Sequence, residues 1–279
     1  MKNFAKKLDF DIPRELQPYV VGVILGESDS IVNASYPVHP TGFPLLINSF
    51  MDLPLLRIDG QLHCPQSRLN VAGQVFNANI ELEFNGKLGQ IGLVLYPTAP
   101  YYLFHKKGDY LLNKIISIDE VTPLNTDDLL GNLSHCSSLK DRADLLMGIL
   151  CGLNNNRLSP ISWLDASLSE IFSRHGIVSQ TELLDKIRLG SRHFRRKFKE
   201  IIGVSPKYYC KVIQLNTIFE LLKIRESEKL HHLALDCGYY DQSHFINDFN
   251  RLIGESPEKF LNGEHAFVKT YLGQGMGLA

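Results

Sequence analysis

The sequence has 279 residues, 44% of them hydrophobic and 21% charged, which is enough to bury the cores of two domains. Its 29 Lys and Arg are balanced by 30 Asp and Glu, for a formal net charge of -1, so a uniformly basic nucleic-acid coat and a long acidic tail are both excluded. There is no run of about 18 apolar residues, and Asp9 and Asp11 fall where a signal peptide would be apolar, so a cytoplasmic chain without a membrane span is expected.

From Val20 to about Val121, short apolar runs rich in Val, Ile and Phe alternate with Gly, Pro and Asn: YVVGVIL, FPLLINSF, PLLRIDG, NVAGQVF and ANIELEFNGKLGQIGLVLYP. Ile80, Leu82 and Phe84 alternate with Asn79, Glu81 and Glu83, and Asn85-Gly86 offers a type I′ turn, which predicts a hairpin with one buried face. Repeated short strands without helical patterns between them predict a small antiparallel β-barrel or sandwich. His39, His63, His105 and Arg57 are the candidate polar residues of this half, each better explained as a surface or core residue than as a ligand contact.

After Pro123 the period lengthens. Leu139, Ala143, Leu146, Leu150 and Leu153 follow a 4-3-4-3 spacing, the seam of a helix packed on its own domain or on a second copy of the chain. Asn154 to Asn156 and Ser159-Pro160 form a polar break, which sets the expected boundaries: residues 1–156 a β-rich domain ending in helices, 157–264 a second domain, and 265–279 a tail. Beyond the break, helices are predicted over Ser162–Arg174, Gln180–Ile187, Ser191–Ile202, Pro206–Ile224, Lys229–Asp236, Gln242–Ile253 and Pro257–Leu261, with Gly190, Gly203, Gly238 and Gly254 between them. The fold class is therefore α+β in two domains.

The helical half repeats itself. HFRRKFKEIIGVSP from His193 and HFINDFNRLIGESP from His244 align at a single offset of 51 residues. Phe194, Phe198, Ile201 and Ile202 make one helical face, and Phe245, Phe249, Leu252 and Ile253 repeat it. Gly ends each helix, and Ser-Pro starts the next with Ser as N-cap and Pro at N1. A short helix and a tight turn precede each copy, which makes two helix-turn-helix units, the second helix of each being the one that enters a DNA major groove. Ser191 is expected to N-cap the first recognition helix, and Asp241 or Gln242 to open the second.

Opposite the apolar face of the first recognition helix lie Arg192, Arg195, Arg196 and Lys199. Residues 179–225 hold 11 Lys/Arg against 4 Asp/Glu, whereas 226–279 hold 4 against 8. The second helix offers Ser243, Ile246, Asn247 and Asn250 instead, with side-chain donors and acceptors for base edges and no charge for phosphate. Candidate DNA-binding residues are Ser191, Arg192, His193, Arg195, Arg196 and Lys199 in the first unit and Gln242, Ser243, His244, Asn247 and Asn250 in the second.

These residues resemble the AraC/XylS family of bacterial transcription regulators. SRHFRRKFKEIIGVSPKYY from Ser191 and GYYDQSHFINDFNRLIGESPEKF from Gly238 follow that family's two signatures, and the resemblance covers about Ser179 to Phe260. It implies two helix-turn-helix motifs joined by a linker helix, and an amino-terminal barrel that senses a small molecule, promotes dimerisation, or both. It implies as partners double-stranded promoter or operator DNA, RNA polymerase, a small-molecule effector and a second copy of the chain. Asn247 and Asn250 stand where the family carries Arg and Lys, and Gln214 and Ile218 where its linker helix carries Arg and Ala.

The competing reading is an enzyme, either a barrel-type metal enzyme or an alkyl-acceptor repair protein fused to a DNA-binding module. The His-x-His pair of barrel metal sites is absent. Cys64, Cys136, Cys151, Cys210 and Cys237 contain no CxxC pair and read as reduced thiols, Cys151 and Cys237 as packing residues. No GxSxG, P-loop or GxGxxG pattern occurs. No catalytic residue, metal ligand or cofactor is therefore assigned. A third reading, prompted by the neutral second helix, is an interaction module that no longer binds DNA.

Overall fold

The computed structural model describes residues 5–155, 157–187, 189–225 and 229–262, so the expected tail lies outside the described residues. The first half is built on one antiparallel sheet: β1 (Ala5–Leu8), β2 (Val20–Pro37), β3 (Leu45–Ser49), β4 (Leu55–Ile58), β5 (Gln61–His63), β6 (Leu69–Ala72), β7 (Ile80–Leu95) and β8 (Ile115–Ser117). The order is β1-β2-β7-β3-β6-β8, with β4 pairing β7 and β5. β1 and β8 end the ladder, giving an open half-barrel of the antiparallel kind that the alternation predicts.

The predicted hairpin at Asn85-Gly86 does not form. β7 runs straight through, pairing Asn85 with Asn33 and Gly86 with Val32. A Cβ on Gly86 would collide with the Asp52 side chain, whose carboxylate accepts from the Lys87 amide at 2.8 Å, so the glycine serves a close approach from another segment rather than a turn.

Two helices interrupt the region that reads as all strand. α1 (Ala99–Phe104) begins with Pro100 in its first turn, and α2 (Gly108–Leu111) follows the left-handed cap residue His105. α3 (Thr126–His135) and α4 (Leu139–Asn154) then start on side-chain caps from Asn125 and Ser138. Ala143, Leu146 and Leu150 are fully buried in the core that the sheet shares with α1 and α4, so the centre of the 4-3-4-3 seam is spent inside the chain's own fold.

The helical half contains α5 (Ser162–Ser173), α6 (Gln180–Ile187), α7 (Ser191–Ile202), α8 (Pro206–Ile224), α9 (Leu230–Asp236), α10 (Gln242–Ile253) and α11 (Pro257–Asn262). These match the predicted helices to within about a residue at each end. Phe194, Phe198, Phe245, Phe249 and Phe260 are all fully buried in its core, each contributing roughly 1.5–3 kcal/mol by transfer out of water.

The period-two alternation of the sheet decides how the halves meet. Val20, Val23, Leu46, Leu93 and Leu95 face α1 and α4, while Val21, Ile24, Leu45 and Val94 face the helical core. The sheet is thus a middle layer. Across the junction Phe43 stacks on Phe172 at 5.5 Å, Tyr209 donates to the Gly42 carbonyl at 3.0 Å, and Asn216 donates to the Thr41 carbonyl at 2.6 Å. The polar break is a pinned strap. The Leu158 amide donates to the Tyr102 carbonyl at 3.0 Å, and the Ile161 amide to the Tyr102 hydroxyl at 2.8 Å.

Candidate nucleic-acid interface

The first unit is α6, a short turn and α7. α6 opens with a reciprocal cap: the Ser179 hydroxyl accepts from the Glu182 amide at 3.2 Å, and the Glu182 carboxylate accepts from the Ser179 amide at 2.8 Å. Hydrogen bonds from Ser179, with the Arg174 guanidinium at 2.6 Å, pull the Glu182 carboxyl down to about 2. Ser-x-x-Glu is a readable helix-start signal that the sequence reading passed over.

The cap expected at Ser191 is corrected. Gly190, with extended backbone, is the N-cap of α7, and Ser191 is the first helical residue. Its hydroxyl accepts instead from the Gln180 side chain at 2.8 Å, tying the start of the recognition helix to the start of α6. Arg192, His193, Arg195, Arg196 and Lys199 are exposed along α7, and Ser191 is half-buried. Among the described residues, none of Arg192, Arg195, Arg196 and Lys199 has a salt-bridge partner. Four cations with no partner on one helical stripe form a surface suited to polyanions.

The second unit is α9, a turn through Gly238 and α10. Asp241 N-caps α10 by accepting from the His244 amide at 2.7 Å, as expected. Gln242, Ser243, His244, Asn247 and Asn250 are exposed, whereas Ile246 is half-buried against the helical core rather than offered outward. His244 also turns toward its own unit, its ring 5.1 Å from Tyr239 and its Nε2 3.5 Å from Asp248.

α8 carries both units. Asp248, buried on α10, meets Lys211 of α8 at 3.1 Å and Arg251 at 2.7 Å, and Lys211 also lies 4.3 Å over the Tyr239 ring. Gln214 is buried and donates to the Cys237 carbonyl at 2.5 Å, while accepting from Lys211 at 2.9 Å, and Ile218 is fully buried. Gln214 therefore ties α8 to the second unit, while Ile218 packs in the helical core. Nothing in the local sequence marks Lys211 and Asp248 as partners, because they come from different helices.

A cleft of about 580 Å³ opens between the halves, lined by Pro37, His39 and Asn77 from the sheet side and Tyr208, Arg251 and Lys259 from the helical side. Of the other polar residues singled out in the first half, Arg57 pairs with Glu83 at 2.6 Å and His63 is exposed. Burial pushes the thiols of Cys237 and Cys151 up to about 11, first by desolvation in both cases. Among the described residues, no three His, Cys, Asp or Glu side chains converge as a metal site would require, and no helix is long and apolar enough to cross a membrane.

Comparison with known proteins bears on this geometry. Residues 183–263, from α6 to just beyond α11, match the family described as a helix-turn-helix domain. The transcriptional activator RhaS of Escherichia fergusonii is 28% identical over 170 residues, covering 54% of this chain and 59% of RhaS. The probable transcriptional regulator LumQ of Photobacterium leiognathi is 24% identical over 243 residues, 82% of this chain and 93% of LumQ. Over its helical half the chain is thus similar to helix-turn-helix transcription regulators. Its match to the RhaS relatives spans only about 40 to 60% of their length. ToxT of Vibrio cholerae, solved with (E)-4-(8-methylnaphthalen-1-yl)but-3-enoic acid, superposes with a TM-score of 0.50 at 11% identity over 85% of this chain and 96% of ToxT, which shows a shared two-part fold.

Proposed function

We propose that this chain is a sequence-specific DNA-binding transcription regulator of the AraC/XylS kind, in which residues 1–156 sense and 157–264 bind. α7 and α10 enter the major groove, with Arg192, Arg195, Arg196 and Lys199 supplying most of the phosphate attraction and Gln242, Ser243, Asn247 and Asn250 reading base edges. The observation that carries this reading is the pair of helix-turn-helix units, each with an outward face, one of them an unpaired cationic stripe. A homodimer on promoter DNA, RNA polymerase as the regulated machine and a cytoplasmic setting belong to the same proposal.

Control by a small molecule is part of it. The cleft between sheet and helices has a volume suited to a compact ligand, about 300–1,000 Å³ in general, and a molecule there would touch both halves. The acid bound by ToxT, a protein of like fold, is a reasonable first compound to try. The test of the whole reading is retention of fragmented genomic DNA by purified protein at near-physiological salt, followed by sequencing. A few enriched sites, lost by Arg192→Ala/Arg196→Ala, are expected. Equal retention by that variant would sink the proposal.

A further inference from the structure

We propose that the segment 105–114 of the first half is a second phosphate-contacting surface, continuing the basic stripe of α7 onto the sheet domain. This rests on the DNA-binding reading above and extends it to residues outside the helix-turn-helix units.

Positions 192, 196, 199 and 203 are spaced 4-3-4 and share one helical face, so Gly203 stands where the stripe of Arg192, Arg196 and Lys199 would next place a side chain. That place is taken by α2. A Cβ on Gly203 would lie 2.8 Å from the Gly108 carbonyl oxygen, and one on Gly108 would overlap the Gly203 amide. Lys107 fixes the contact by pairing with Glu200 at 3.0 Å, and Glu200 also meets Lys197 at 3.1 Å, so this trio retains one net positive charge. Those hydrogen bonds, Lys107 first, hold the Glu200 carboxyl below its ordinary range.

The outer side of this segment is cationic. It holds Lys106, Lys107 and Lys114 against the single carboxylate Asp109. The Lys106 and Lys114 ammonium groups lie 4.9 and 5.1 Å from the centroid of the Tyr110 ring, which is 39% exposed. Among the described residues, neither of these two lysines has a salt-bridge partner. A recognition helix lying in a major groove ends near the sugar-phosphate wall of that groove, and phosphate contacts there fix register without reading sequence. Two ammonium groups gathered on an exposed aromatic ring at that end are placed for such contacts. The consequence is that the sensing half would share the DNA surface and add to its salt dependence.

The experiment titrates full-length protein with a labelled mixed-sequence duplex at salt concentrations from 50 to 200 mM, comparing wild type with Lys106→Ala/Lys114→Ala and with Arg192→Ala/Arg196→Ala. Each lost phosphate contact lowers the slope of log affinity against log salt by about 0.9, so the lysine pair should flatten it by about 1.8. Wild type should then lose roughly tenfold more affinity over this range than the lysine variant. An unchanged slope in the lysine variant, with the arginine variant weakened, would overturn the second surface and leave the DNA-binding reading standing. Tighter binding by the lysine variant would overturn it as well, since the segment would then be holding α7 away from DNA. Absence of binding by wild type and all variants would remove both readings together. Circular dichroism of the lysine variant should match wild type, and Tyr110→Ala, which removes the ring but neither charge, should weaken binding by a smaller factor.

Discussion

The two helix-turn-helix units are near copies in sequence and differ in what holds them. Gly203 and Gly254 occupy equivalent positions, end equivalent helices and adopt φ of 95° and 89°. Yet Gly203 is covered by α2, whereas a Cβ on Gly254 would meet nothing within 4 Å. The first unit is packed directly against the sheet half. The second hangs on α8 through Asp248, Lys211, Arg251 and Gln214, and touches the first half at the cleft, where His39 meets Phe260 at 5.9 Å. One local code therefore serves two mechanical situations, with the cationic face on the anchored unit and a neutral exposed face on the suspended one.

The largest effect should come from breaking the suspension. Asp248→Ala leaves the largely buried Lys211 without its carboxylate and the half-exposed Arg251 without that partner, a loss of about 3 kcal/mol that comes mainly from Lys211. Hydrogen exchange should show that loss in α9 and α10 and leave α6 and α7 protected. Equal loosening of both units would mean that they unfold as one and that the contrast drawn above is only geometric. The equivalent glycines come next. Gly203→Ala combines left-handed strain of roughly 1–2 kcal/mol with overpacking of roughly 1–3 against α2, whereas Gly254→Ala carries the strain alone. Thermal unfolding of the two variants should separate them by several degrees in a domain of this size. Equal shifts would refute the distinction.

Which of these features the sequence reveals follows from the range of the forces involved. The helices after Ser162 were legible because Gly at a left-handed cap, Ser-Pro at a helix start and a 3.6-residue period act within a few residues of one another. Asn85-Gly86 misled because it carries a local turn signal, while the deciding partner, Asp52, arrives from elsewhere in the chain. α1 lies in a region whose short apolar runs show no helical pattern, and Pro100 in its first turn is the one local signal of a helix start. The helical wheel alone predicts the exposed faces of α7 and α10, Arg192, Arg195, Arg196 and Lys199 on one and Asn247 and Asn250 on the other. The exceptions show its limit: Ile246 is drawn toward the core, and Ser191 gave up the cap for Gln180. The Lys211–Asp248 pair and the α2 contact required knowing which helices are neighbours, which period and punctuation do not encode.

The contrast in charge can be sharpened by rewriting the neutral helix. Asn247→Arg/Asn250→Lys restores the family's cations at two exposed positions and should steepen the salt dependence of DNA binding by up to about 1.8 in log–log slope. If the second unit lies on DNA, affinity for mixed-sequence duplex should rise by roughly tenfold at low salt while discrimination between sites falls, because added phosphate attraction is blind to sequence. No change in slope would mean that α10 does not approach the phosphates, and that the second unit mainly positions the first.

The smallest expected effect concerns the start of the first unit. The Glu182 carboxyl, ordinarily near 4.5, is held at about 2 by Ser179 and Arg174, so its contribution favours the folded state when ionised. That contribution is complete above about pH 4.5 and is lost as pH falls from there toward 2, since the unfolded chain takes up the proton first. Glu182 is exposed, so solvent screening keeps the effect small, and added salt should shrink the Arg174 share of it. Glu182→Gln keeps a side-chain acceptor for the Ser179 amide but removes the charge. Unfolding curves of wild type and variant should therefore differ at pH 6 and converge toward pH 2. Parallel curves across that window would show that the cap works as a neutral hydrogen bond.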